Sequence, residues 1–202
     1  MAQFRLTAKM ASRLKIMDLP QSKEQSLPFY DDWAVDLLKI QRKDVAVFMH
    51  VNTRVTLAIP LFEIGGAKYL FDSLPAMIEW AINELEIPRF EDYGCQIRDY
   101  FEPQLKQLDF CKTDNRSVTT HLNQFKQILE FECFRHGEVS QIVCNKTMDY
   151  WQSALITNPH TKKEYTKPIA LWQSYLDGDC INEGENVAGI DNVIPFPQGD
   201  KQ

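Results

Sequence analysis

The chain has 202 residues, 44% of them hydrophobic and 11% aromatic, with a formal net charge of −6. That composition supplies an ample core for one domain of ordinary size, with or without an appendage. It excludes a bilayer-spanning helix, since no apolar run is long enough, and it lacks the basic balance of a strong nucleic-acid binder.

Residues 4–7 alternate as a short first strand, and residues 8–17 read as a helix with Met10, Leu14 and Met17 at helical spacing. The N-terminal run has scattered basic residues, no uninterrupted apolar segment and no cleavage site, so no secretory signal is expected. Residues 18–28 are polar with two prolines, a loop. The clearest β region follows: residues 33–40, 45–51 and 55–59, joined by turns at 41–44 and 52–54 and closed by Pro60. Turns this short predict an antiparallel meander. His50, inside the second run, is expected to be a packed or edge histidine. Gly65-Gly66 precede a helical region in which Ser73 is the expected cap of a helix with Pro75 in its first turn. Met77, Trp80, Ala81 and Leu85 form its stripe. A short helix within 92–101 and a strand over 105–111 then return the chain to the sheet.

Residues 109–136 read as strand, polar turn and amphipathic helix. On a helical wheel starting at Val118, Leu122, Phe125, Ile128, Leu129 and Cys133 fall on one side, with Thr120, Asn123, Gln124, Gln127 and Glu130 opposite. Phe131 and Phe134 break the pattern, which predicts packing of the last turn against a second element. Gly137 is the stop, with Arg135 and His136 suiting the helix dipole just before it. Asp114 or Asn115 is the expected N-cap. Another helix is expected over 139–155, with Ile142, Val143, Met148, Trp151 and Leu155 inward. A polar loop over 157–166 and a last helix from Pro168 follow.

Residues 177–202 hold six acids and one base, a net of −5 that leaves only −1 for residues 1–176. This predicts a single domain over 1–176 and an acidic, flexible tail. Within the tail, Val193, Ile194, Pro195, Phe196 and Pro197 favour an extended segment suited to docking on a partner's groove or sheet edge.

Lys112, Asp114, Asn115, Arg116 and Ser117 gather at the start of the 118–136 helix. Free backbone N–H groups with Lys112 and Arg116 make a cradle for an anion such as phosphate. Asn115, Ser117, Asn123 and Arg54 complete the candidate anion- or ligand-binding set. The plain alternative is an ordinary capped helix start with solvated charges. His121 reads as a boundary residue without a carboxylate orienter at local spacing. Phosphate loops, dinucleotide fingerprints, zincin and hydrolase motifs and a catalytic-cysteine signature are all missing. The four histidines (His50, His121, His136, His160) show no ligand spacing, and the five cysteines contain no Cys-x-x-Cys pair, predicting reduced thiols and no zinc site. Neither a catalytic residue nor a metal nor a cofactor is assigned.

The pattern resembles a family of uncharacterised bacterial proteins, a domain of unknown function found in genomes and on plasmids and other mobile elements. One part of the likeness is the Trp33 strand, the Gln41-Arg42-Lys43 turn, the 45–51 strand and the Asn52-Thr53-Arg54 turn. The other is Asn115-Arg116-Ser117-Val118 followed by Asn123, similar to that family's Asn-Arg-Ser-Val…Asn signature. Thr120 stands where the family often has a small glycine. The resemblance covers most of residues 1–176 and implies a domain shape, with no activity attached.

The expected fold is α+β, an antiparallel β-meander of about four or five strands packed against several α-helices. The expected function is that of a cytoplasmic binding or accessory module, making protein–protein contacts through its sheet surface, the Arg116 turn and the tail, away from membranes. The alternative is an enzyme acting on phosphate esters or nucleic acid, with Arg116 and Lys112 holding phosphate and His121 or Asp114 as acid–base. A third reading, an antitoxin-like partner, has the acidic tail mask a basic surface. A concave pocket where Arg116 meets Arg54, His50 or His121 favours the enzyme, and a flat or grooved surface favours the module.

Overall fold

The three β-rich runs form the expected meander in the computed structural model, which describes residues 3–22, 32–84 and 108–176. Strands β2 (Asp32–Ile40), β3 (Lys43–His50) and β4 (Thr56–Pro60) pair antiparallel, with Trp33 opposite His50 and Phe48 opposite Leu57. Gln41 and Arg42 make the β2–β3 turn at φ 48° and 68°, the left-handed conformation that a tight two-residue hairpin requires at both positions.

The sheet as a whole is mixed, which corrects the fully antiparallel expectation. Strand β1 (Gln3–Leu6) lies parallel to β2 on one side and to β5 (Asp109–Lys112) on the other, giving the order β4-β3-β2-β1-β5. Parallel neighbours need a long crossover. Residues 7–31, including helix α1 (Ala8–Leu14), provide one, and the chain between β4 and β5 provides the return. Periodicity announces a strand but not the direction of its neighbour.

Helices cover both faces. On one, Phe4, Phe48, Phe71 and Phe110 form an aromatic cluster with Phe4–Phe71 centroids 4.9 Å apart, and Trp33 and His50 meet Trp172. Phe71 comes from α2 (Leu70–Glu84), and Trp172 from α5 (Pro168–Leu176). On the other face lie α3 (Arg116–His136) and α4 (Gln141–Ser153). Lys126 of α3 makes a buried ion pair with Asp36 of β2, whose Oδ1 also accepts from the Thr7 hydroxyl at 2.5 Å and the Leu37 N–H at 2.8 Å. Because β3 is buried on both sides, Val45–Met49 reads as a continuous apolar run rather than an alternating one.

This layering covers both faces of the sheet and one of its edges. Every residue of β4 is buried, and α4 closes its outer edge. Gln141 Nε2 donates to the Ala58 carbonyl and Gln152 Nε2 to the Thr56 carbonyl, both at 3.0 Å. An edge strand whose free carbonyls are taken in this way cannot add a partner's strand there.

Several helical expectations need local correction. Helix α1 ends when Lys15 turns left-handed at φ 61°, which leaves Met17 outside it and exposed. A short 3-10 turn (Ala67–Tyr69) leads directly into α2, so Ser73 is interior, donating to the Tyr69 carbonyl, and does not cap. Phe131 and Phe134 are exposed rather than packed, and Ile142 and Leu155 face solvent instead of the core. The polar 157–166 stretch carries a small hairpin, β6 (Ile156–Thr157) with β7 (Tyr165–Thr166). The helix expected within 92–101 and the tail with Val193–Pro197 lie outside the described residues.

Candidate functional site

The α3 start is built as its sequence suggests. Asn115 is the N-cap, its side chain accepting from the Val118 N–H at 3.1 Å, and Gly137 ends the helix at φ 72°. Asp114, the other candidate cap, is committed elsewhere. One of its oxygens accepts from Arg5 Nη1 at 3.1 Å and the other from the Ser22 hydroxyl at 2.6 Å. Those bonds, the Ser22 hydroxyl foremost, hold its carboxyl below the usual range. Arg5 also makes a bidentate pair with Asp32, at 2.8 and 2.7 Å.

The structure brings Arg54 and Ser117 together. Arg54 sits in the β3–β4 turn at φ 66°, with its carbonyl accepting from Trp151 Nε1 at 2.9 Å and from the Thr56 hydroxyl at 2.8 Å. Its side chain is 2% exposed. Nη2 donates to the Ser117 hydroxyl at 3.1 Å and Nε to His121 Nδ1 at 3.2 Å, while Nη1 is buried and makes no hydrogen bond. Burial pushes the guanidinium down to about 10, with no acidic side chain opposing it. It therefore stays charged at neutral pH, a buried cation without a counterion among the described residues.

His121 Nδ1 lies 3.2 Å from Arg54 Nε and 3.0 Å from the Ser117 carbonyl, so it accepts from Arg54 in one tautomer and donates to Ser117 in the other. Burial and the Arg54 charge together lower the His121 pKa. The same two causes lower that of His160, whose Nε2 lies 3.1 Å from the Asn52 carbonyl. His50 is fully buried, its Nδ1 accepting from the Thr53 N–H at 3.2 Å and paired with the Thr53 hydroxyl at 2.8 Å. Three histidines from distant parts of the chain thus converge near the 52–54 turn. Among the described residues no group of three metal-ligating side chains could hold a metal ion.

Lys112, Arg116 and Asn123 are exposed, while the Arg54 side chain turns to Ser117 and His121. The buried thiols Cys111 and Cys133 are pushed up to about 11, and that of Cys144 is raised as well, all chiefly by burial, which makes them poor nucleophiles.

A concave surface does exist away from the α3 start. A groove of about 940 Å³ runs between α3 and α4, lined by buried Val143, Trp151 and Ile156 together with exposed Phe131, Tyr150 and Leu155. Arg135 and Lys146 stand on its rim with Glu132, whose carboxylate lies 3.6 Å from both Arg135 and His136. The sequence signal for this groove is the break that Phe131 makes in the α3 stripe. Trp151 links the two places, lining the groove while donating to Arg54.

Fold and site together define a mixed α+β domain with a buried cationic cluster and an apolar groove between helices. The chain matches a domain of unknown function (DUF6933) over residues 3–171 and belongs to that family. The match runs from β1 into α5 and stops before the acidic tail. No curated protein matches the chain. Among the described residues, no helix is long and apolar enough to cross a membrane.

Proposed function

We propose that this protein is a cytoplasmic bacterial accessory module, of the kind carried in genomes and on mobile elements, that binds another protein in the α3–α4 groove. The observation that carries this reading is the exposure of Phe131, Tyr150 and Leu155, at 63%, 62% and 69%, along the walls of that groove. Clustered exposed aromatics around an apolar depression are the usual anchors of a protein contact. The occupant is an apolar segment with acidic flanks, because Arg135 and Lys146 on the rim outnumber the single carboxylate of Glu132. The acidic tail, with Val193–Pro197, provides a second contact to the same partner. The enzyme reading fits less well: Asp114 is hydrogen-bonded to Arg5 and Ser22, and His121 is buried with Nδ1 engaged by Arg54 Nε and the Ser117 carbonyl.

Affinity capture from the native host tests this, using the intact chain, Phe131→Ala/Tyr150→Ala, and Lys9→Ala on α1 as a control. All three positions are exposed, so the fold is retained. A specific protein held by the intact chain and the control but lost with the double substitution is the expected result. Equal recovery with all three chains, or recovery of nucleic acid in place of protein, would overturn it.

A further inference from the structure

The α3 N-terminus has an unusual charge balance. Acids favour the first turn of a helix because its N–H groups point outward with partial positive charge. Here the first turn contains no acid and begins with Arg116. Asp114, the nearest carboxylate in sequence, is bonded to Arg5 and Ser22. Into this turn reaches Arg54, buried, with one nitrogen on Ser117 and another, Nη1, without any hydrogen bond. Ser117 accepts from Arg54, so its own hydroxyl proton remains available, and Ser117 is only half-buried, opening that end of the cluster to solvent. His121, whose Nδ1 lies within hydrogen-bond distance of both Arg54 Nε and the Ser117 carbonyl, adds no negative charge.

We propose that Arg54, Ser117 and the first backbone N–H groups of α3 bind a small oxyanion of the phosphate class. The anion takes hydrogen bonds from Arg54 Nη1, the Ser117 hydroxyl and the N–H groups of Arg116 and Ser117, and it supplies a countercharge that the buried guanidinium lacks among the described residues. Donors arriving from side chain and helix end suit a tetrahedral group better than a planar carboxylate. The site stands apart from the groove and does not depend on it.

The test is a titration of the full chain with inorganic phosphate at constant ionic strength, balanced with chloride, following the melting temperature and the Arg54 side-chain ¹H–¹⁵N resonance. Phosphate is expected to raise the melting temperature saturably and to shift the Arg54 resonance. Ser117→Ala, at a half-buried position, is expected to weaken the response about tenfold, the loss of one charge-assisted hydrogen bond. Arg54→Met is expected to abolish it, and if that variant does not fold, the wild-type resonance and Ser117→Ala decide. Ribose 5-phosphate binding more tightly than inorganic phosphate would mark the anion as part of a larger molecule, and equal or weaker binding would mark it as free phosphate. Either result upholds the site. No shift beyond that of chloride, an equal response to acetate, or an undiminished response in Ser117→Ala would overturn it.

Discussion

Arg54 is held in a conformation that non-glycine residues adopt at a cost of about 1–2 kcal/mol, and the bonds from Trp151 and Thr56 to its carbonyl fix it there. What that geometry secures is a guanidinium aimed inward at Ser117 and His121. The arrangement makes stability depend on pH. His121 and His160 have folded pKa values below the ordinary 6.5, so the unfolded chain binds protons more readily than the folded one. Stability is then fully present above about 6.5 and falls as the pH drops below it. Urea unfolding between pH 7 and 5 should show this loss, and His121→Gln should reduce its slope, whereas an unchanged slope would remove His121 as a cause. Sequence reading placed Arg54 and Ser117 in one candidate anion-binding set with Arg116, without a sign that the first two are in contact. A polar residue in a turn reads as solvated, and nothing local reveals that a position 63 residues later closes over it.

Among the elements, α3 is the best predicted, because its stripe, cap and glycine stop are all local signals. Asn115, Val118, Leu122, Phe125, Leu129, Cys133 and Gly137 stand where periodicity and capping chemistry put them. Its anchorage was not legible. Lys126, which no local signal singles out, is paired with Asp36 of β2 with both side chains at least 85% buried. Lys126→Met should lower stability by about 3 kcal/mol in chemical denaturation, since it strands a buried carboxylate. A loss below about 0.5 kcal/mol would mean the pair behaves as a solvated surface contact. Phe131 and Phe134, which break the stripe, were read as packing on a second element, and Ile142 and Leu155 as core because apolar side chains at helical spacing usually are. Their exposure is what separates an interaction face from a packing face, and spacing alone does not distinguish the two.

In the whole molecule, the meander was legible from its turns, but the parallel addition of β1 and β5 was not, since it depends on crossovers rather than on local pattern. The same layering hides the sheet, seals the β4 edge with Gln141 and Gln152, and leaves the α3–α4 groove as the concave apolar surface described here. Trp151 spans the distance between that groove and the Arg54 turn, so a partner in one and an anion at the other share a buried neighbour. On the proposed reading, the folded body through Leu176 presents this groove open to another protein, with the acidic tail left for the partner. The melting temperature of the chain with residues 177–202 removed tests this. A shift below about 2 °C is expected, under ~1 kcal/mol for a chain of this size. A drop of many degrees would contradict it, because the tail would then be docked on the body and the groove no longer free to receive a partner.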